Sequence, residues 1–153
     1  MQKKIKGFNI RVYGLIINQH KQILLSDEFQ LGMKMTKFPG GGLKFGEGTI
    51  DCLKREALEE FGQPIEIIEH FYTLDYFQPA LFYEEYQLIS VYYTAKFPEP
   101  VRFEISTKPF DFERLENGKI SFRWRNLMEI SENEMTMPVD KKVLKMLKLQ
   151  YDF

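Results

Sequence analysis

The 153-residue chain contains one cysteine, one tryptophan and two histidines, and the scarcity of cysteine excludes whole classes of function. A lone Cys52 can form neither an internal disulfide nor a multi-thiolate metal site, so the zinc-finger and knottin classes are out and the chain reads as intracellular. No charge of one sign dominates: 21 Lys and Arg against 22 Asp and Glu leave a net charge of −1, which gives no general attraction to nucleic acid or an anionic membrane. No apolar run approaches membrane-spanning length, and the start, Met1-Gln-Lys-Lys-Ile-Lys-Gly, is not followed by the apolar stretch of a signal peptide. A soluble, cytoplasmic protein with neither nucleic acid nor membrane as partner is expected. What is abundant is core material: 44% apolar and 15% aromatic residues suit one well-filled globular unit, and 153 residues without repeat, linker or low-complexity tract predict a single domain over 1–153.

Along the chain, Phe8 to Ile17 and Gln22 to Leu25 are rich in β-branched and apolar residues around Asn18-Gln19-His20-Lys21, the pattern of a β-hairpin. Residues 28–37 have no clean period. Gly40-Gly41-Gly42 predicts a loop. A helix is predicted over Thr49–Phe61, with Thr49 as N-cap, Asp51 in the positive first turn and Gly62 then Pro64 as a stop. Strand-like stretches follow at Ile65–Tyr76, Tyr86–Phe97 and Lys119–Arg125, with a proline-interrupted connection around Pro98, Pro100 and Pro109. Pro138–Leu149 spaces Val139, Val143 and Leu147 as an amphipathic helix does.

The helix over 49–61 has a polar face that local energetics do not explain. At roughly 100° per residue from Ile50, the side chains of Leu53, Ala57, Phe61, Ile50 and Leu58 fall within an arc of roughly 140° that should face the core. Glu59, Glu56 and Glu60 lie at roughly 180°, 240° and 280°, together on one side. Their i,i+3 and i,i+4 pairings are like-charged and cost a few tenths of a kcal/mol each. Arg55 relieves part of this. From Glu47 to Glu60 five acids face two bases, a local charge of −3. A solvated acidic face is the plain explanation. The sharper one is a divalent-cation site, since hard cations such as Mg²⁺ take carboxylate and main-chain oxygens together with phosphate oxygens. The glycines just ahead of the helix offer open backbone for such an approach.

Two commoner phosphate motifs fail by counting: Phe45 stands three after Gly42 where G-x-G-x-x-G needs glycine, and no Gly-Lys-Ser/Thr follows the glycines. The pattern that fits is Gly41, five residues, Glu47, seven residues, Arg55-Glu56-Ala57, one residue, Glu59-Glu60, one residue, Gly62. This resembles the Nudix box of the Nudix hydrolase family over 41–63, with Gln63 standing where the family usually has an aliphatic residue.

The resemblance implies an α+β fold, an α/β/α sandwich around a central mixed β-sheet. It implies that Glu56, Glu59 and Glu60 hold Mg²⁺ or Mn²⁺ with the Gly41 carbonyl, that Gly40, Gly41 and Gly42 form the phosphate-facing loop, and that Arg55 and Glu47 pair to brace loop against helix. The reaction it implies is hydrolysis of a diphosphate in a nucleoside diphosphate linked to another group. The substrate would be a small-molecule nucleotide derivative such as a nucleotide sugar, ADP-ribose or a nucleoside triphosphate. Clustered carboxylates suit that chemistry, because metal-activated water needs no protein nucleophile. One carboxylate must take the proton from water. Glu56 is a candidate by position, and the family often uses a loop residue, for which Glu84, Glu85, Glu113 and Glu116 qualify; Glu116, before Asn117-Gly118 and the Trp124 strand, is preferred.

Pro79 lies sixteen residues after Gln63, a spacing at which family members acting on ADP-ribose often carry proline. Family members are often homodimers. The rival reading is an inactive Nudix-like sensor that binds a nucleotide or metabolite; relatives of that kind commonly lose one of the glutamates, and here all three are present. His20 and His70 have no partner that would make a triad, Cys52 is read as incidental, and the aromatics from Phe71 to Tyr93 are read as core before base-stacking platform.

Overall fold

The computed structural model describes residues 4–151; Met1 to Lys3, part of the N-terminal stretch read above, lies outside the described residues. Its elements run β1 (Gly7–Ile16), β2 (Gln22–Gln30), β3 (Met33–Lys37), β4 (Gly40–Gly42), α1 (Thr49–Phe61), β5 (Glu66–Thr73), β6 (Tyr86–Lys96), β7 (Lys119–Asn126) and α2 (Pro138–Gln150). One sheet has the order β4-β1-β6-β5 and is mixed, with β1 and β6 parallel; the other, β3-β2-β7, is antiparallel. This is the α+β sandwich implied by the resemblance.

The period-2 alternation of strands assigns the two helices to opposite faces. In β1, Tyr13 and Leu15 join the cluster under α2, while Val12 and Ile16 join the cluster under α1. In β2, Ile23 and Leu25 face α2 and Leu24 faces α1; in β6, Tyr92 faces α2 and Ala95 faces α1. Val139, Val143, Leu144 and Leu147 of α2 close the first cluster, and Cys52, Leu53, Ala57 and Phe61 of α1 close the second.

The structure corrects several expectations. The segments around Asn18 to Lys21 meet only at an Ile17–Ile23 bridge and then diverge into different sheets. β1 pairs with β4 over Arg11–Tyr13 and with β6 along its whole length, and β2 pairs with β3 over Ser26–Gln30 and with β7 over Gln22–Phe29, so the ladders of the two strands run to other partners. The tight hairpin is instead β2–β3, in the stretch without a clean period, where Leu31 and Gly32 (φ 49° and 74°) both take left-handed backbone as a two-residue primed turn requires. The three glycines form a short strand paired with Arg11 to Tyr13. Closeness is what demands glycine here, since a Cβ on Gly40 would strike the Val12 carbonyl.

Helix α1 has the predicted bounds, but Gly48 is its N-cap and Thr49 its first residue; the Thr49 hydroxyl meets the Tyr93 hydroxyl at 2.6 Å. Gly62 ends it in left-handed backbone (φ 68°) with its N–H donating to the Leu58 carbonyl at 3.0 Å. Ile50 and Leu58 are 41% and 55% exposed, whereas Cys52 is fully buried, so the buried stripe is narrower than expected and rotated towards Cys52. That rotation carries Glu56 and Glu60 inward.

Gln63 also acquires a role. It is 1% exposed, its amide donates to the Pro100 carbonyl at 3.2 Å, and its carbonyl accepts from the Arg102 N–H at 2.8 Å. It therefore pins the proline-rich connection to the end of α1. Gln63→Leu, which restores the aliphatic character of the family, is expected to cost about 1–3 kcal/mol by leaving two backbone groups unpaired. Chemical denaturation measures this, and an unchanged midpoint would contradict it.

Candidate active site

The site is built on α1 and the strand entering it. Arg55 is its organising group: Nε and Nη2 engage the Glu47 carboxylate at 2.9 and 2.7 Å in a two-pronged pair, and Nη2 also donates to the Gly42 carbonyl at 3.0 Å. Glu47 in turn accepts from the Lys44 N–H at 2.8 Å. The Arg55 hydrogen bond holds Glu47 well below the usual carboxylate range, at about 2, and Arg55 itself is raised. Glycine strand, connecting loop and helix are thereby tied together.

The remaining arm of Arg55, Nη1, donates to Glu56 at 3.0 Å and to Glu59 at 3.3 Å. Glu56 is pressed against Gly41 so closely that a Cβ there would collide with its carboxylate. Glu60 lies further in. Burial, then the negative charges of Glu28 and Glu56, push its carboxyl up to about 8, while Lys37 and Arg11 oppose the shift. Glu59 is the outlier, with a side chain 52% exposed on the flank of the helix. The three glutamates thus share one edge without forming a closed cage: among the described residues no group of three His, Cys, Asp or Glu side chains is drawn tightly enough to hold a metal ion. Arg55 supplies a reason, because it draws Glu56 and Glu59 onto its own guanidinium.

The donor set still fits a hard divalent cation in kind. All three side chains offer carboxylate oxygens, and Gly41 leaves the backbone bare at the point where Glu56 approaches.

Two cavities bear on this edge, one lined by Glu60 itself and one by groups whose charges act on Glu60. A smaller one, about 280 Å³, is lined by Glu60 together with Glu104, Ser106 and Asp111. A larger one, about 330 Å³, is lined by Arg11, Glu28 and Lys37 at its charged side. Glu28 is held by Lys37 at 3.2 Å and by the Ser26 hydroxyl at 2.9 Å.

The structure does not bring Glu116 to this edge. It is exposed, 3.9 Å from Arg114 in the turn before β7, and lines neither of these cavities. Asp111 and Glu104, on the connection that Gln63 pins, are the loop carboxylates beside Glu60. Sequence reasoning also missed Glu28, Arg11 and Lys37, which reach the helix only through sheet pairing. His70 contacts Thr73 and Tyr93, and His20 sits exposed in the β1–β2 turn. Cys52 is part of the core, where burial lifts its thiol to about 11.

A second buried acid, Asp140, lies at the start of α2. Burial pushes it up to about 6 from 3.8, against the Tyr92 hydroxyl, Lys37, the Phe38 N–H and Arg11, which all favour the charged form. Because the folded state holds this proton more tightly than the unfolded chain, the associated stability is present below about pH 4 and is lost as pH rises through about 6. Asp140→Asn is therefore expected to gain on the wild type by about 2 kcal/mol between pH 4 and pH 7. Denaturant midpoints across that range check it; a pH-independent difference would contradict it.

The NUDIX domain family profile matches residues 7–147. Among proteins of curated function nothing matches the chain. Of solved structures, a NUDIX hydrolase from Nitrosomonas europaea superposes with a TM-score of 0.69 at 19% identity, covering 94% of this chain and 90% of that one. A MutT protein from Methanosarcina mazei Go1 gives 0.68 at 18% identity, covering 97% and 98%. The ORF135 protein of E. coli gives 0.63 at 18% identity, covering 96% and 93%. At such identities the likeness is one of fold.

Proposed function

The chain belongs to the NUDIX family of pyrophosphohydrolases, and from that premise we propose that residues 1–153 act as one domain hydrolysing the diphosphate of a nucleoside diphosphate joined to another group, with Mg²⁺ or Mn²⁺ at the acidic edge of α1. The observation that carries this reading is the Glu56 carboxylate lodged against bare Gly41 backbone, with Glu60 beside it and Arg55 locked to Glu47 behind.

In this reading Glu56, Glu59 and Glu60, with the Gly41 carbonyl, are the groups that hold the cation. Bound divalent ions supply neutralisation of phosphate charge and a lower pKa for the attacking water. The chain's own part is to place and to deprotonate. Arg55, paired with Glu47, fixes the glycine strand relative to the helix, so that backbone and carboxylates present one surface. Arg11 and Lys37, on the side facing the larger cavity, offer positive charge to phosphate oxygens. The water oxygen bonds to one phosphorus, the bond from that phosphorus to the bridging oxygen breaks, and the water's proton passes to a carboxylate. Glu56 or an acid beside Glu60, Asp111 or Glu104, is placed to receive it.

The substrate is a nucleotide sugar, ADP-ribose or a nucleoside triphosphate. Pro79 adds to the case for ADP-ribose by position alone: it bridges to Gln87 and precedes Ala80 on the wall of the larger cavity. The test is a panel of nucleotide sugars, ADP-ribose, dinucleoside polyphosphates and nucleoside triphosphates, assayed for hydrolysis products with Mg²⁺ and with chelator. Turnover of at least one compound that stops on chelation is expected. Tight binding without turnover of any would contradict the proposal and favour a sensor. No described helix is long and apolar enough to cross a membrane.

A further inference from the structure

The connection between β6 and β7 carries the loop acids beside Glu60, and it is pinned from outside at three points. Gln63 holds Pro100 and Arg102, the Phe122 carbonyl accepts from the Ser106 N–H at 2.7 Å, and Asp27 Oδ2 accepts from the Phe110 N–H at 3.3 Å. The third pin holds a strained residue. Phe110 stands in left-handed backbone (φ 51°) although it is not glycine, and such a conformation persists only where its surroundings impose it. Asp27 does so at the N–H, and Lys34 Nζ lies 5.3 Å from the centre of the Phe110 ring. The Phe112 N–H then returns to the Phe110 carbonyl at 2.9 Å, closing a three-residue turn with Asp111 at its apex. Asp111 lines the cavity of Glu60.

The ion pair of Asp111 does not fix where it stands. Its partner Lys108 is 3.7 Å away with a side chain 72% exposed, and a pair so open to water adds little. Position comes instead through the backbone, from Asp27. That carboxylate is fully buried and is itself held, by Arg123 Nε on Oδ2 at 2.6 Å and by the Thr36 hydroxyl on Oδ1 at 2.7 Å. Strands β2, β3 and β7 thus converge on one side chain, which passes their rigidity to the turn.

Resting on the hydrolytic reading above, we propose that Asp27 is a positioning residue: by holding Phe110 in left-handed backbone it sets Asp111 beside Glu60, where Asp111 receives the proton of the attacking water. Asp27 acts through Asp111 alone. A displaced acceptor slows proton transfer without weakening substrate binding, so loss of the anchor belongs in kcat and not in KM.

Two double variants isolate the anchor from the ion pair. Asp27→Asn/Arg123→Met and Asp27→Leu/Arg123→Met both remove the buried charges. Only the first keeps an acceptor for Phe110, since its amide oxygen takes the place of Oδ2 while its NH₂ donates to the Thr36 hydroxyl. Asp27→Ala replaces leucine if the larger side chain does not give a cooperative melt.

The first arm is amide hydrogen exchange in chelator, where no cation or substrate takes part. Phe110 is expected to exchange about tenfold faster in the leucine double than in the asparagine double, with the amides of β2 and β7 matched between the two. The second arm is steady-state kinetics with Mg²⁺ on ADP-ribose, or on the panel nucleotide that the wild type hydrolyses fastest. Asp111→Asn should lower kcat by about tenfold or more, and the leucine double should fall about tenfold below the asparagine double in kcat with KM within about twofold. In an Asp111→Asn background the two doubles should have the same kcat, because the anchor then has nothing to position. Equal Phe110 exchange, wild-type kcat in Asp111→Asn, equal kcat in the two doubles, or a gap that survives Asp111→Asn would each overturn the inference. A wild type that hydrolyses no compound of the panel sinks the proposed activity and with it the catalytic half of this inference, while the exchange arm still decides whether Asp27 holds the turn.

Discussion

Glu56→Gln and Glu60→Gln are each expected to lower Mg²⁺-dependent hydrolysis by at least about 10²- to 10³-fold, with Glu59→Gln falling less. The ranking follows from position. Glu56 sits against Gly41 and Glu60 is half-buried beside Glu28, so both are less open to solvent than Glu59 and water replaces a lost charge there less well. Glu59 is half exposed and shares Arg55 with Glu56. Glutamine keeps the shape and one acceptor oxygen, so the substitution tests charge and not packing. Folding should survive, since burial already raises Glu60 and a neutral side chain there removes a repulsion from Glu28 and Glu56. Steady-state kinetics against thermal melts separate the two quantities. Undiminished activity in both variants would remove the metal-holding role from this edge.

The largest effect on stability is expected from Arg123→Met. Arg123 Nε donates to Asp27 at 2.6 Å, and the Asp27 side chain is fully buried. The same carboxylate accepts from the Thr36 hydroxyl at 2.7 Å and from the Phe110 N–H at 3.3 Å. Removing the guanidinium leaves a buried carboxylate with two neutral donors and no counter-charge, which costs about 3–5 kcal/mol. Replacing both partners should recover part of that loss, because the uncompensated charge is then absent. Denaturant midpoints of the single and double variants decide it; a single variant within 1 kcal/mol of wild type, on the order of surface pairs, would contradict it. Asp27 also tethers Phe110, next to Asp111 at Glu60's cavity, so the same change should loosen that end of the connection.

What the sequence made legible was local. Thr49–Phe61 and its stop at Gly62 could be read because the helix period and a glycine in left-handed backbone are written in adjacent residues. The spacing that joins Gly41, Glu47 and Arg55 to the glutamates was legible for the same reason. Misreadings arose where partners are distant. The β1–β2 segments have hairpin composition, yet their pairing is decided by β6 and β7, more than sixty residues on. The Leu31-Gly32 turn lacks the usual asparagine or aspartate signal, so the true hairpin was invisible. Ile50 and Leu58 looked like core on a helical wheel because a wheel does not know which face meets the sheet. Glu28 and Asp140 carry no local mark at all. Glu28 reaches Glu60 through sheet and helix packing, and Asp140 reaches Tyr92 across 48 residues.

Direct cation binding tests the central claim more closely than any rate. Mn²⁺ titrated into the protein, with the free aqua ion followed by electron paramagnetic resonance, should disappear from solution in the wild type. In a Glu56→Gln/Glu60→Gln double variant that melts as a folded protein, it should remain free. Equal uptake of Mn²⁺ by the two proteins would contradict the account.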